Sequence, residues 1–289
     1  MNFFQRSYRI ALDAFWRFNA DDGWAIASHI ALSTLMAMFP FVIVLAAMAS
    51  YFLGSKELAD EAARILLEAW PEEVAGPIAT DVSNVLTGTR SDVLTFSIVF
   101  ALYFASSGVE SLRIGLNRAY GTSEKRTWWL LRLEAIGFVL IGAVALLAFA
   151  FLVVLAPLIW AQLVAFAPKL APFGFIVTFT RFFVAAAVLV IALWIVHLWL
   201  PAGRRSFAGM APGIVATLLL WLLSGEVFGR YLAEFAFAYS IMYSGLASAM
   251  IALVFLYICA SIFIYGGELN AEIAKTQGRA MRNRPRRRR

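Results

Sequence analysis

The chain has 289 residues, of which 62% are hydrophobic and 15% charged, with a formal net charge of +6. Soluble domains carry about 25% charge and about 45–50% apolar residues, so this composition excludes a water-soluble globule; lipid must solvate much of the apolar surface. A single cysteine, Cys259, excludes an intramolecular disulfide and a cysteine-ligated metal cluster.

Residues 2–19 alternate aromatics (Phe3, Phe4, Tyr8, Phe15, Trp16, Phe18) with Arg6, Arg9 and Arg17. That pattern predicts a helix lying in the membrane interface, rings in the acyl boundary and arginines on anionic headgroups. No cleavable signal is visible, because Arg6, Arg9, Asp13 and Arg17 interrupt any apolar core. Asp21-Asp22-Gly23 ends this helix, and the two aspartates are expected to cap the next.

A hydrocarbon core about 30 Å thick needs roughly 20 apolar residues at 1.5 Å each. Six stretches meet that requirement: Trp24–Phe52, Val93–Leu112, Ala135–Trp160, Ile176–Leu200, Phe207–Tyr231 and Gly245–Gly267. The fold class expected is therefore all-α, a polytopic membrane helical bundle forming one integral domain over residues 1–275. The second span is the weakest, because Ser106, Ser107, Gly108 and Glu110 dilute one end of it.

Basic residues orient the bundle. With the N-terminus inside, 18 of the 24 lysines and arginines fall on the cytoplasmic side, so both termini are read as cytoplasmic. Between the first two spans, residues 54–92 carry two amphipathic runs separated by Pro71 and Gly76-Pro77. They predict an acidic helical hairpin on the outer face, either a solvated cap or a lid. Residues 276–289 form a basic tail, expected to be disordered and to rest on anionic lipid rather than nucleic acid.

Polar residues at membrane depth are functional candidates because their burial is costly. In the first span these are Ser28, His29, Ser33 and Thr34, followed by Pro40, which removes a helical hydrogen bond and predicts a kink. His29, Ser33 and Met36 share one helical face and are candidates to line a cavity or, on the other reading, to act structurally. Glu226 lies one turn before Arg230, which suits an i, i+4 ion pair or a substrate-linked carboxylate. Tyr257, Ser261 and Tyr265 form a polar stripe on the last span. Glu268 and Asn270 are expected to end that helix after Gly266-Gly267, where a neighbouring backbone can approach. His197 is read as interfacial. No phosphate loop, nucleophile elbow or metal-spaced cluster is present, so no enzyme, no cofactor and no metal is expected.

Several ordered segments together resemble the YihY/BrkB family of bacterial inner-membrane proteins. They are Asp22-Gly23 leading to Phe39-Pro40, Leu116-Asn117-Arg118-Ala119-Tyr120 with Lys125-Arg126, and Ala211-Pro212-Gly213. The last runs from Tyr243-Ser244-Gly245-Leu246 through Tyr257 to Gly266-Gly267-Glu268-Leu269-Asn270-Ala271-Glu272. The resemblance covers about residues 10–275, with Tyr243-Ser244-Gly245 standing where the family often has Tyr-Gly. It implies a multi-pass protein of the bacterial inner membrane. Members were once labelled ribonuclease BN, an attribution later withdrawn, and have been linked with serum resistance and envelope lipid or lipopolysaccharide export. The function expected is translocation of a lipid or other amphiphile in envelope biogenesis. A non-transporting scaffold for envelope machinery is the alternative, and ribonuclease activity is disfavoured. The partners expected are membrane lipids, anionic at the basic tail and N-terminal helix, with a second copy of the chain as a further candidate and no specific nucleic acid.

Overall fold

The computed structural model describes residues 3–53, 91–150, 156–243 and 246–282. The expected outer hairpin (but for Ser91 and Asp92), the second half of the basic tail and part of the Tyr243-Ser244-Gly245 motif lie outside them. The elements are α1 (Phe3–Ala20), α2 (Gly23–Leu53), α3 (Ser91–Ala119), α4 (Trp128–Ala150), α5 (Ala156–Phe166), a 3₁₀ turn (Pro168–Phe173), α6 (Gly174–Trp199), α7 (Phe207–Tyr243) and α8 (Ala247–Arg282). Every regular element among the described residues is helical. That is what a bilayer demands of a chain that must satisfy its backbone groups internally.

Five stretches are long and apolar enough to cross a membrane: Thr95–Ala119, Trp128–Ala145, Pro168–Trp199, Phe207–Glu234 and Ala249–Gly278. A shorter described apolar stretch, Gly23–Met38, begins α2. Together they form a polytopic helical bundle. Its lipid-solvated character is visible on α6, where Phe175, Phe179 and Phe183 stack in an exposed column with ring centroids 6.4 and 6.3 Å apart.

Several boundaries differ from those expected, among them the ends of α3, at Ala119 rather than Leu112, and of α7, at Tyr243 rather than Tyr231. The third span begins at Trp128 rather than Ala135, and the stretch expected to be one helix to Trp160 contains the start of a separate α5. Glu268 and Asn270 do not end the last helix: α8 runs on to Arg282, taking up the first seven residues of the expected disordered tail. A diglycine flanked by helix-compatible residues costs about 1 kcal/mol per glycine, and packing against neighbouring helices overrides it. Pro40 lies inside an uninterrupted α2.

The junction of α1 and α2 is a tight reversal. Asp22 adopts a left-handed φ of 58°, and a Cβ on Gly23 would collide with the ring of Phe18. The aspartate side chains serve ion pairs rather than capping α2: Asp22 meets Arg118 at 2.7 Å and Asp21 approaches Arg17 at 3.9 Å.

Helix α8 is the hub, packing on α1, α2, α3 and α7, while α2 lies along α3 and α4 bridges α3 and α6. The buried core (Phe18, Leu116, Leu200, Ile214, Phe263, Ile264) gathers the end of α1, the ends of α3 and α6, the start of α7 and the middle of α8. The chain reversals at 21–22, 120–127 and 200–206 therefore share one end of the bundle with the described basic residues Arg17, Arg113, Arg118, Arg126 and Arg205. The positive-inside rule makes this the cytoplasmic end.

Candidate functional site: a lateral groove and a buried polar cluster

Two polar features occupy that end. The first is a groove of about 950 Å³ along α2 and α3, closed on one side by the start of α4. Its mouth holds the Asp22–Arg118 ion pair and the exposed Trp128. Arg132, from α4, reaches across to α3. It pairs with Glu110 at 3.0 Å, donates to the Tyr103 carbonyl at 3.2 Å and lies 4.9 Å over the Tyr103 ring. On the mouth side of these contacts, His29 Nδ1 lies 2.6 Å from Ser111 Oγ and 3.5 Å from Ser33 Oγ, and the ring's tautomer sets which group donates. The inner part of the lining sets Leu32, Met36 and Phe104 beside Ser33, Ser107 and Arg132. The groove spans Asp22 to Met36, roughly 21 Å at 1.5 Å per residue. That exceeds half of a hydrocarbon core of about 30 Å.

The second feature is a buried polar cluster behind the groove. Glu124, in the α3–α4 connection, accepts from Arg126 Nε at 2.9 Å, Arg126 NH2 at 2.8 Å, Arg113 NH1 at 3.0 Å and Asn117 Nδ2 at 3.2 Å. The backbone N–H groups of Lys125 and Arg126 complete its shell at 3.0 and 3.1 Å. The Arg126 guanidinium foremost holds this carboxyl well below the ordinary carboxylate range, against the opposing effect of burial. Glu124 in turn raises Arg126. Arg126 extends the network to Glu134 at 2.6 Å and to the Leu200 carbonyl at 3.0 Å, while Asn117 accepts from the Ala202 N–H at 2.7 Å. The α3–α4 and α6–α7 connections are thus tied by charge-assisted hydrogen bonds, the stronger class.

Deeper in, Tyr120 Oη lies 3.0 Å from His197 Nδ1 and 3.3 Å from Met210 Sδ, with the Arg205 guanidinium 4.1 Å over its ring. Burial pushes the Tyr120 phenol up to about 12, and burial also lowers Arg205. His197, in the last turn of α6, is fully buried and stacks on Phe263 at 4.7 Å, so it faces the interior of the bundle. On α8, Asn270 is also fully buried, and its Oδ1 accepts from the Gly213 N–H at 2.6 Å.

Of the residues singled out by sequence, His29 and Ser33 line the groove, where His29 meets both Ser111 and Ser33. Ser28 and Thr34 back-bond to the carbonyls of Ala25 and Ile30, the structural alternative. Ser261 does likewise to Tyr257, whose ring lies 6.1 Å from Trp24. Tyr265 donates to the Ala11 carbonyl at 3.1 Å, fixing α1 on α8. Glu226 and Arg230 form an exposed pair at 2.7 Å, apart from the groove. Pro40 is not among the groove's lining. Glu268 is buried against α1. Sequence reading missed Glu110, Ser111, Arg132, Glu124 and His197 as interacting groups. The signal was present in Glu110 and Arg113 within a nominal membrane span, which in lipid implies partners.

The virulence factor BrkB family matches this chain over residues 14–289. The ribonuclease-like protein YfkH of Bacillus subtilis is 24% identical over 263 residues, covering 91% of this chain and 94% of that protein. A UPF0761 membrane protein of Rhodospirillum centenum is 27% identical over 274 residues, covering 92% of this chain and 56% of that protein. Another from Pseudoalteromonas translucida is 23% identical over 262 residues, with 86% and 80% coverage. No solved structure matches. A family match that takes in α2 through α8, joined to a bundle of membrane-competent helices, makes this chain a polytopic membrane protein of the BrkB family.

Proposed function

We propose that this protein moves a lipid or other amphiphile across the bacterial inner membrane, using the groove along α2 and α3 as the path for a headgroup. The observation that carries this reading is a lateral groove with the Asp22–Arg118 pair at its cytoplasmic mouth, the Arg132–Glu110 pair further in, and apolar side chains such as Leu32, Met36 and Phe104 along its walls. Such a groove offers polar partners to a headgroup while acyl chains stay in the bilayer. Its volume of about 950 Å³ is of the size that holds small molecules. Arg118 is half-exposed, so its ion pair with Asp22 is open to exchange with an anionic headgroup. Hydrolysis is no part of the proposal: the groove's charged groups are already paired with one another, and no group of three metal-ligating side chains occurs among the described residues.

The test is transbilayer movement of a fluorescent phospholipid in proteoliposomes. Leu32→Trp and Ile114→Trp fill the groove and are expected to lower the rate at least tenfold. Glu226→Gln, remote from it, should leave the rate unchanged. No movement with wild-type protein overturns the transport reading, and equal rates in the filled variants overturn the path.

A further inference from the structure

Glu268 is a buried carboxyl that no feature of the groove uses. Its side chain is 1% exposed, it lies within the membrane-competent stretch Ala249–Gly278, and neither of its oxygens accepts a hydrogen bond. The nearest cation is Arg17 on α1, whose Nε stands 3.5 Å away, beyond a well-formed charge-assisted bond. The same guanidinium donates to Glu272 at 3.0 Å and approaches Asp21 at 3.9 Å, while Lys275 lies 3.5 Å from Glu272. Three carboxylates thus share two cations, with Asp21 facing Glu268, and the most deeply buried of them has only the long contact to Arg17. From α3, the Tyr120 hydroxyl is committed to His197 and Met210, and Arg118 to Asp22. From α7, Thr217 and Gly213 bring no charge to this region.

A carboxylate in that position loses its hydration without gaining an equivalent shell, and the usual response is to take up a proton. One proton balances the five groups. We propose that Glu268 is a proton-binding site, and that its protonation state sets how firmly Arg17 holds α1 against α8. With Glu268 ionised, the guanidinium is drawn to it; with Glu268 neutral, only Glu272 and Asp21 retain Arg17. The step is simple proton uptake from the cytoplasmic side, with no bond made or broken elsewhere. Its effect has a short route to the groove, because α1 joins α2 through the left-handed Asp22, which itself pairs with Arg118 at the groove mouth.

Two measurements on the full-length protein in lipid nanodiscs test this, and neither depends on lipid movement, so the proposal can fail separately from the transport reading. Infrared difference spectroscopy between acid and alkaline buffer should show a protonated-carboxyl band in wild type that is absent in the nearly isosteric Glu268→Gln. Spin labels at Asp13→Cys and Gln277→Cys, in a Cys259→Ser background, should report a narrower α1–α8 distance distribution at alkaline than at acid pH. In Glu268→Gln that distribution should not change with pH. Wild type without a titrating carboxyl band overturns the proposal, as does a band that persists in Glu268→Gln. A distance distribution insensitive to pH in wild type overturns the link to α1.

Discussion

At the scale of single residues, Glu124 illustrates how a charge becomes tolerable at the edge of a membrane. Six hydrogen bonds enclose its two oxygens, and both arginines it serves would be left underpaired without it. Hydrogen bonds to charged groups contribute about 1.5–3 kcal/mol each in net terms, and losing one partner of a buried pair costs more than the pair contributed. Glu124→Gln should therefore lower unfolding free energy by about 2–3 kcal/mol at neutral pH, measured by thermal or denaturant unfolding in detergent. The pH dependence follows from the depressed value. A carboxyl whose folded value lies below its unfolded one, about 4.3, contributes fully above the unfolded value. That contribution is lost as pH falls toward the folded value. Wild-type stability should consequently fall in strong acid more steeply than that of Glu124→Gln. Equal acid slopes would place the stabilisation elsewhere.

At the scale of elements, the contact of α7 with α8 depends on glycine at specific places. A Cβ on Gly213 would collide with the Gly266 carbonyl, and one on Gly266 would collide with Thr217 Oγ1. Small residues let membrane helices approach to backbone contact, where dispersion and hydrogen bonding replace the hydrophobic drive that lipid cannot supply. Gly213→Ala should therefore cost about 1–3 kcal/mol through overpacking and disturb the bond from Gly213 to Asn270. Gly137→Ala on α4 meets nothing within 4 Å and should stay within about 1 kcal/mol of wild type. Melting temperatures of the two variants, compared under one detergent condition, separate these outcomes. The diglycine before Glu268 was legible in the sequence as a site of close approach. That α8 continues through it was not, because local glycine propensity favours a helix end and only the surrounding packing outweighs it.

At the scale of the whole molecule, the packing among the described residues concentrates at one end of the bundle. The buried core and the charged networks cluster where α1, the α3–α4 connection and the α6–α7 connection meet. Elsewhere α4, α6 and α7 present aliphatic and aromatic side chains to lipid. The orientation rule places this cohesive end in the cytoplasm. A Ser123→Cys probe in a Cys259→Ser background, exposed in the α3–α4 connection, should react with an impermeant thiol reagent only from the cytoplasmic side. Labelling from the opposite face would invert the topology and move the groove mouth to the outer surface.

The sequence by itself determined that the chain lives in lipid, roughly where its spans lie and which end carries the basic residues. These properties follow from apolar run length and charge count, quantities local to each segment. It also identified His29 and Ser33 as groove candidates, through their spacing on one helical face. Only the tertiary structure decided which polar groups meet. Arg17 and Glu272 are 255 positions apart, and Tyr120 and His197 are 77 apart. No periodicity encodes such pairings, because they depend on which helix ends pack together. The groove belongs to the same class of fact: it exists because α2, α3 and the start of α4 leave space between them, and Arg132 crosses that space to meet Glu110.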